Sequence, residues 1–144
     1  MNDAIYTARQ KMRDGAYTCV VIANDEEYTS RERGVKPLLS LLERHGVLTG
    51  AVAADKVVGA GAAHLYVLLG IDALWADVIS TSALRVLNDV GIEVSFGERV
   101  PHIINRRGDG VCPMETAVVD AKSAEEAYRL ILDTLRRIEQ GPEN

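Results

Sequence analysis

Between Leu48 and Phe96 the chain alternates short apolar runs with single helix-length segments, and no other feature limits its fold so much. A strand, one helix and a second strand form a crossover unit, which sets the two strands side by side, parallel and connected with a right hand. The apolar runs are Leu48 to Ala53, Leu74 to Ile79 and Ile92 to Phe96. Lys56 to Leu69, between the first two, is apolar on nearly all sides, as suits a helix packed between a sheet and another helix. Asp55 is predicted to cap its first turn and Gly70 to end it. Between the second two, Ser80-Thr81-Ser82 offers capping hydroxyls to a helix with Ala83, Val86, Leu87 and Val90 on its inner face. Gly91 closes that helix. Ile92, Val94 and Phe96 alternate with Glu93 and Ser95, which predicts one covered face on the last strand.

The flanking segments complete the pattern. Ile5, Ala8 and Met12 have helical spacing, closed by Gly15. Tyr17 to Ala23 reads as a buried strand, Asn24-Asp25 as a turn, and Glu27 to Ser30 as the returning strand of a hairpin. Gly34-Val35-Lys36-Pro37 opens a second helix, with Pro37 in a first turn where its missing N–H has no partner to lose. Val35, Leu38, Leu41, Leu42 and His45 share its inner face, and Gly46 ends it. Gly97 to Val111 is irregular. Ser123 and Glu126 form a capping box for a last helix, whose inner face is Ala127, Leu130, Ile131, Thr134, Leu135 and Ile138. Gln140 to Asn144 is expected to fray. The order predicts one α/β domain over residues 1–144, a three-layer α/β/α sandwich on a mixed five-strand sheet with an antiparallel hairpin at one edge.

Composition excludes several classes. At 144 residues and 47% hydrophobic, the chain has material for a real core. Sixteen basic against 21 acidic residues give a net charge of -5, which lacks the basic field that nucleic acid requires. Two cysteines cannot build a disulfide framework or a cysteine-rich zinc cage. The longest apolar run, Val57 to Leu69, is too short for a bilayer, and Met1-Asn2-Asp3 opens no secretion signal. A cytoplasmic protein with neither membrane nor nucleic acid as partner is expected.

Three segments carry a family resemblance: Arg33-Gly34-Val35-Lys36-Pro37-Leu38-Leu39, Ala54-Asp55-Lys56-Val57-Val58-Gly59, and Asn105-Arg106 through Cys112-Pro113-Met114-Glu115. They resemble a family of small uncharacterised prokaryotic proteins, a domain of unknown function, with a cytidine deaminase-like fold that lacks the zinc site. The resemblance covers nearly the whole chain and implies that fold, with no catalytic role attached. The residues agree about zinc. A zinc deaminase needs a His or Cys followed two residues on by Glu at one helix start, and Pro-Cys-x-x-Cys at the next. Neither Gly34-Val35-Lys36 nor Asp55 to Gly59 contains a His or Cys, and starting instead at Asp55-Lys56 and Ser80-Thr81-Ser82 supplies no Cys pair. No metal and no cofactor is expected.

In an open α/β sheet, ligands bind beyond the carboxyl ends of the strands, where helix N-termini favour anions. The residues predicted at those ends are Arg33, Gly34 and Lys36, then Asp55, Lys56 and Gly59. Their alternative roles are plain ones: a cap, solvated lysines and a close-packed glycine. Asn105 and Arg106 lie on a loop expected to close over the same edge. Cys112 is the candidate nucleophile, beside a helical turn begun by Pro113 that lowers a thiol pKa, with Arg106 and Arg107 near in sequence. Glu115 in that turn is the candidate for proton transfer. A cysteine can equally be a small buried hydrophobe, and Cys19 reads so. His64 reads as an interior residue, and Asp77 needs a partner if buried. Three functional readings follow: a protein binding a phosphate-bearing small molecule such as a nucleotide, a non-catalytic module for homo-oligomerisation or protein interaction, and a thiol enzyme using Cys112. An exposed Trp75 would favour the module.

Overall fold

A computed structural model describes residues 2–140. Helix α1 (Asp3–Asp14) starts where the Asn2 side chain accepts the Ile5 N–H at 2.7 Å, and it buries Ile5, Ala8 and Met12. Strands β1 (Cys19–Ala23) and β2 (Glu26–Ser30) form the expected hairpin. Its two turn residues, Asn24 and Asp25, both have positive φ (50° and 69°). That is a type I′ turn, whose twist matches that of the paired strands and which Asn and Asp tolerate better than most residues. Gly34, at φ +78°, then turns the chain into α2 (Lys36–His45).

The remaining elements are β3 (Val52–Val58), α3 (Ala60–Leu69), β4 (Ala73–Ser80), α4 (Thr81–Asp89), β5 (Glu93–Val100), α5 (Pro113–Ala117) and α6 (Ala124–Glu139). The five strands form one mixed sheet in the order β2-β1-β3-β4-β5. The crossovers make β3, β4 and β5 parallel, while β1 runs antiparallel to both β2 and β3. The hairpin does supply an edge, but its antiparallel strand is the inner one. Alternation sends Val20, Ala54, Ala73 and Trp75 to the face covered by α1. Cys19, Val21, Ala53, Leu74 and Ala76 go to the opposite face, against buried residues of α2, α3, α4, α5 and α6. Three layers result. None of the described helices is long and apolar enough to cross a membrane.

One boundary departs from expectation. β3 runs on through Asp55 and Lys56, and α3 begins only at Ala60, so neither residue stands at a helix start. Asp55 pairs with Ala76 in the sheet, and the N-cap of α3 is the extended Gly59, without a side-chain cap of its own. Smaller differences have simple causes. Val90 is the residue after α4 and is exposed, and Ile138, near the end of α6, is exposed as well. β5 extends four residues past Phe96, and cover fades along it, from buried Ile92 through half-buried Val94 to Phe96, 39% exposed. The capping serines behave as predicted: Ser80 accepts the Ala83 N–H at 3.2 Å, and Ser123 accepts the Glu126 N–H at 3.0 Å. Beyond Gln140, the tail expected to fray lies outside the described residues.

Candidate functional site

The strand directions place the carboxyl ends of β2, β3 and β4 at one edge of the sheet, and α2, α3 and α4 start there. The start of α3 is already occupied, by the chain itself. Ala60 N–H, the first of the helix, donates to Glu115 Oε1 at 2.6 Å. Ser80 Oγ (2.9 Å) and Ser82 Oγ (3.3 Å) donate to the same oxygen, and Ile103 N–H donates to Oε2 at 2.8 Å. Glu115 is buried. A negative side chain at a helix start meets unpaired N–H groups and a favourable dipole, as a bound anion would. A Cβ at Gly59 would come within 3.1 Å of Ile103 Cγ1 and 3.2 Å of Glu115 Oε1. The small residue at 59 therefore makes room for an internal carboxylate. Four donors hold Glu115, and it ties α5 and the 101–112 loop to α3 and α4.

Asp55 is buried in β3 and points to the α3 layer, where Tyr66 Oη donates to its Oδ2 at 2.7 Å and Val57 N–H to its Oδ1 at 3.2 Å. Cys19 Sγ lies 3.4 Å from the same Tyr66 oxygen. Because the phenol donates to Asp55, the thiol is the donor of that second contact. Burial pushes the Asp55 carboxyl up from 3.8 to about 7, against the opposing pull of the Tyr66 hydrogen bond. Burial, with the Asp55 charge next, also pushes the Cys19 thiol up, and the same two causes raise Tyr66. Cys19 is thus a protonated thiol at neutral pH and a poor nucleophile. Lys56 is the next residue along the strand and is exposed.

Cys19 also floors an open cleft of about 440 Å³ between β2 and α2. Tyr28, Ser30, Ser40, Arg44 and His45 line it. The Tyr28 and His45 rings stand 4.8 Å apart at 47°. Arg44 pairs with no carboxylate among the described residues.

The other predicted residues are dispersed. Arg33 and Gly34 are exposed before α2, and nothing lies within 4 Å of a Cβ placed at Gly34. Lys36 lines a separate groove between α2 and α6, with Leu132 and Arg136. Asn105 Nδ2 donates to Asp109 Oδ1 at 3.0 Å and its Oδ1 accepts the Asp109 N–H at 3.2 Å, so both amide atoms serve their own loop. Arg106 is exposed at the loop tip. Cys112 is half-buried and is the N-cap of α5, as its sequence position predicts. Asp77 finds its partner in Trp75, whose Nε1 donates to it at 2.6 Å, and Trp75 is buried. His64 is buried too, and burial lowers its pKa. Among the described residues no three of His, Cys, Asp and Glu gather into a metal-ligand set. The structure thus joins Gly59 to Glu115, whose short helix Cys112 caps, and separates the rest. Tyr66, Cys19, Arg44 and His45 escaped the sequence reading as a site, and only the lone buried-type Asp55 in an apolar run hinted at them.

A sequence family described as a domain of unknown function, DUF1893, and labelled TM1506, matches residues 7–135. The chain belongs to the DUF1893 family. The matched span runs from within α1 to within α6, so it takes in the whole sheet. The crystal structure of a DUF1893 family protein (TM1506) from Thermotoga maritima at 2.70 Å resolution is similar to this chain. The TM-score is 0.85 and the identity 27%, over 92% of this chain and 90% of that one. A search of curated proteins finds no match. Membership of the DUF1893 family carries the architecture and assigns no activity.

Proposed function

We propose that this DUF1893 protein binds a small phosphate-bearing molecule, such as a nucleotide, in the cleft between β2 and α2. The observation that carries the reading is Arg44, in no ion pair among the described residues, at a cleft of about 440 Å³, a size within the usual range for small-molecule sites. A guanidinium offers forked N–H donors to phosphate oxygens. Ser30 and Ser40 supply hydroxyls, and the Tyr28–His45 ring pair supplies an aromatic surface beside them. The neutral Cys19 thiol makes the floor uncharged. This location replaces the one first expected between Lys36 and Lys56, because Glu115 fills the α3 start and Lys56 lies within β3 rather than at a helix start. The mixed five-strand sheet between helical layers supports kinship with the cytidine deaminase-like fold as part of the same reading.

Calorimetry with AMP, ADP, adenosine and inorganic phosphate tests it. Binding is expected for the phosphate-bearing ligands. Arg44→Ala should weaken it about ten- to a hundredfold, the equivalent of one charge-assisted contact of roughly 1.5–3 kcal/mol. Lys56→Ala should leave it unchanged. Absence of binding, or binding indifferent to Arg44→Ala, overturns the assignment.

A further inference from the structure

Cys19 and Asp55 stand opposite each other in the antiparallel pairing of β1 with β3, and both meet the α3 layer. Tyr66 comes down from α3 and sets its hydroxyl between them, 2.7 Å from Asp55 Oδ2 and 3.4 Å from Cys19 Sγ. All three side chains are buried. The chain they form runs from mid-sheet to the cleft between β2 and α2, where Cys19 is part of the floor. A phenol has one hydrogen to donate. Tyr66 gives it either to the carboxyl or to the sulfur, so the direction of one contact fixes the direction of the other.

With Asp55 ionised, Tyr66 donates to Oδ2 and the Cys19 S–H turns inward to the phenol oxygen, so the sulfur meets the cleft with lone pairs only. A proton taken up by Asp55 belongs on Oδ2, because Oδ1 already accepts the Val57 N–H at 3.2 Å. The acid then donates to Tyr66 Oη, the phenol donates to Cys19 Sγ, and the thiol hydrogen is released toward the cleft. Only Asp55 gains a proton in this reversal; the O–H of Tyr66 and the S–H of Cys19 rotate and stay whole. We infer that Asp55, Tyr66 and Cys19 form a proton-sensing relay that switches the cleft floor from hydrogen-bond acceptor to donor. The titratable groups that face Asp55 are Tyr66 on α3, Cys19 on β1 and Asp77 on β4, whose charge opposes ionisation. No basic side chain among the described residues is in an ion pair with Asp55. Burial outweighs the hydrogen bonds it accepts and sets the switch at a pH of about 7. An oxyanion in the cleft gains from the donor state and from the loss of the carboxylate charge behind it, a consequence that rests on the cleft being the ligand site.

Raman spectroscopy of the S–H stretch tests the relay, in a Cys112→Ser background that leaves Cys19 as the sole thiol. The band should shift as pH passes through about 7 and keep its intensity, since the thiol stays protonated. Asp55→Asn puts an amide N–H donor where the acid would stand, so its band should hold the low-pH position throughout. Tyr66→Phe cuts the relay, and its band should ignore pH while the infrared carboxyl band of Asp55 still titrates. Amide exchange across β3 shows that each variant folds. Calorimetry with inorganic phosphate reads the consequence for the cleft. Asp55→Asn should match wild type well below the switch and bind about tenfold more tightly well above it, the worth of one hydrogen bond. His45 and phosphate itself titrate alike in both proteins and drop out of the comparison. A Cys19 band indifferent to pH overturns the relay, as does one that still follows pH in Tyr66→Phe. Equal phosphate affinity in wild type and Asp55→Asn above the switch overturns the coupling to ligand. Absence of phosphate binding in both overturns the cleft reading instead, while the thiol band still decides the relay.

Discussion

Glu115 is the side chain whose removal should matter most to the fold. Its carboxylate accepts two backbone N–H groups, from Ala60 and Ile103, and the hydroxyls of Ser80 and Ser82. Hydrogen bonds to a charged group contribute about 1.5–3 kcal/mol, and a buried donor left without a partner costs about 1–3 kcal/mol. The serines keep each other as partners, so the loss falls mainly on the two backbone donors. Glu115→Ala should therefore destabilise the protein by about 3–5 kcal/mol. Glu115→Gln keeps the shape but turns an NH₂ group toward one of those N–H donors, so it should still cost about 2–3 kcal/mol. For a chain of this length a loss of 3 kcal/mol lowers Tm by about 10 °C. Urea unfolding gives the free energies, and amide exchange locates the damage. Exchange should accelerate first at Ile103, Cys112 and Ala60. If both variants lie within about 1 kcal/mol of wild type, the assignment of Glu115 as a structural tie is wrong.

Two further outcomes follow from the buried polar chain and the thiols. Asp55 has a carboxyl raised from 3.8 to about 7 in the fold, so its contribution to stability is full below about 4 and is lost as pH rises through about 7. The loss should reach about 4 kcal/mol at most, and urea unfolding across that range should show a slope that Asp55→Asn removes; an equal slope in the variant contradicts the assignment. Native alkylation followed by mass spectrometry should label half-buried Cys112 well before buried Cys19, whose thiol is held protonated; the reverse order contradicts the placement of both.

Local signals were the readable ones. Asn24-Asp25 announced the hairpin because a type I′ turn is decided by the turn residues themselves. Ser80 and Ser123 announced α4 and α6 because each accepts a hydrogen bond from a residue three places on. The β3–α3 boundary was hidden because its cap comes from Glu115, 55 residues away, and because the polar Asp55 in mid-strand is satisfied by Tyr66, eleven residues on. Read locally, Asp55 is a good cap and Gly59 is none. The candidate cleft was hidden for a similar reason. Its lining comes from β1, β2 and α2, and no spacing along the chain reveals that Cys19, Arg44 and His45 share one surface. Cys112 at the start of α5 was legible, since Pro113 marks the first turn.

The long reach of the Glu115 contact also sets an order on the making of the protein. Ala60 leaves the ribosome 55 residues before the carboxylate that satisfies it, an interval of about 3–11 s at ordinary rates of synthesis. Through that interval all five strands can emerge, yet α3, at the centre of the larger core, has an unsatisfied first amide. The nascent sheet is therefore complete in strands before it is locked, and a chain halted before residue 115 holds the topology without its fastening.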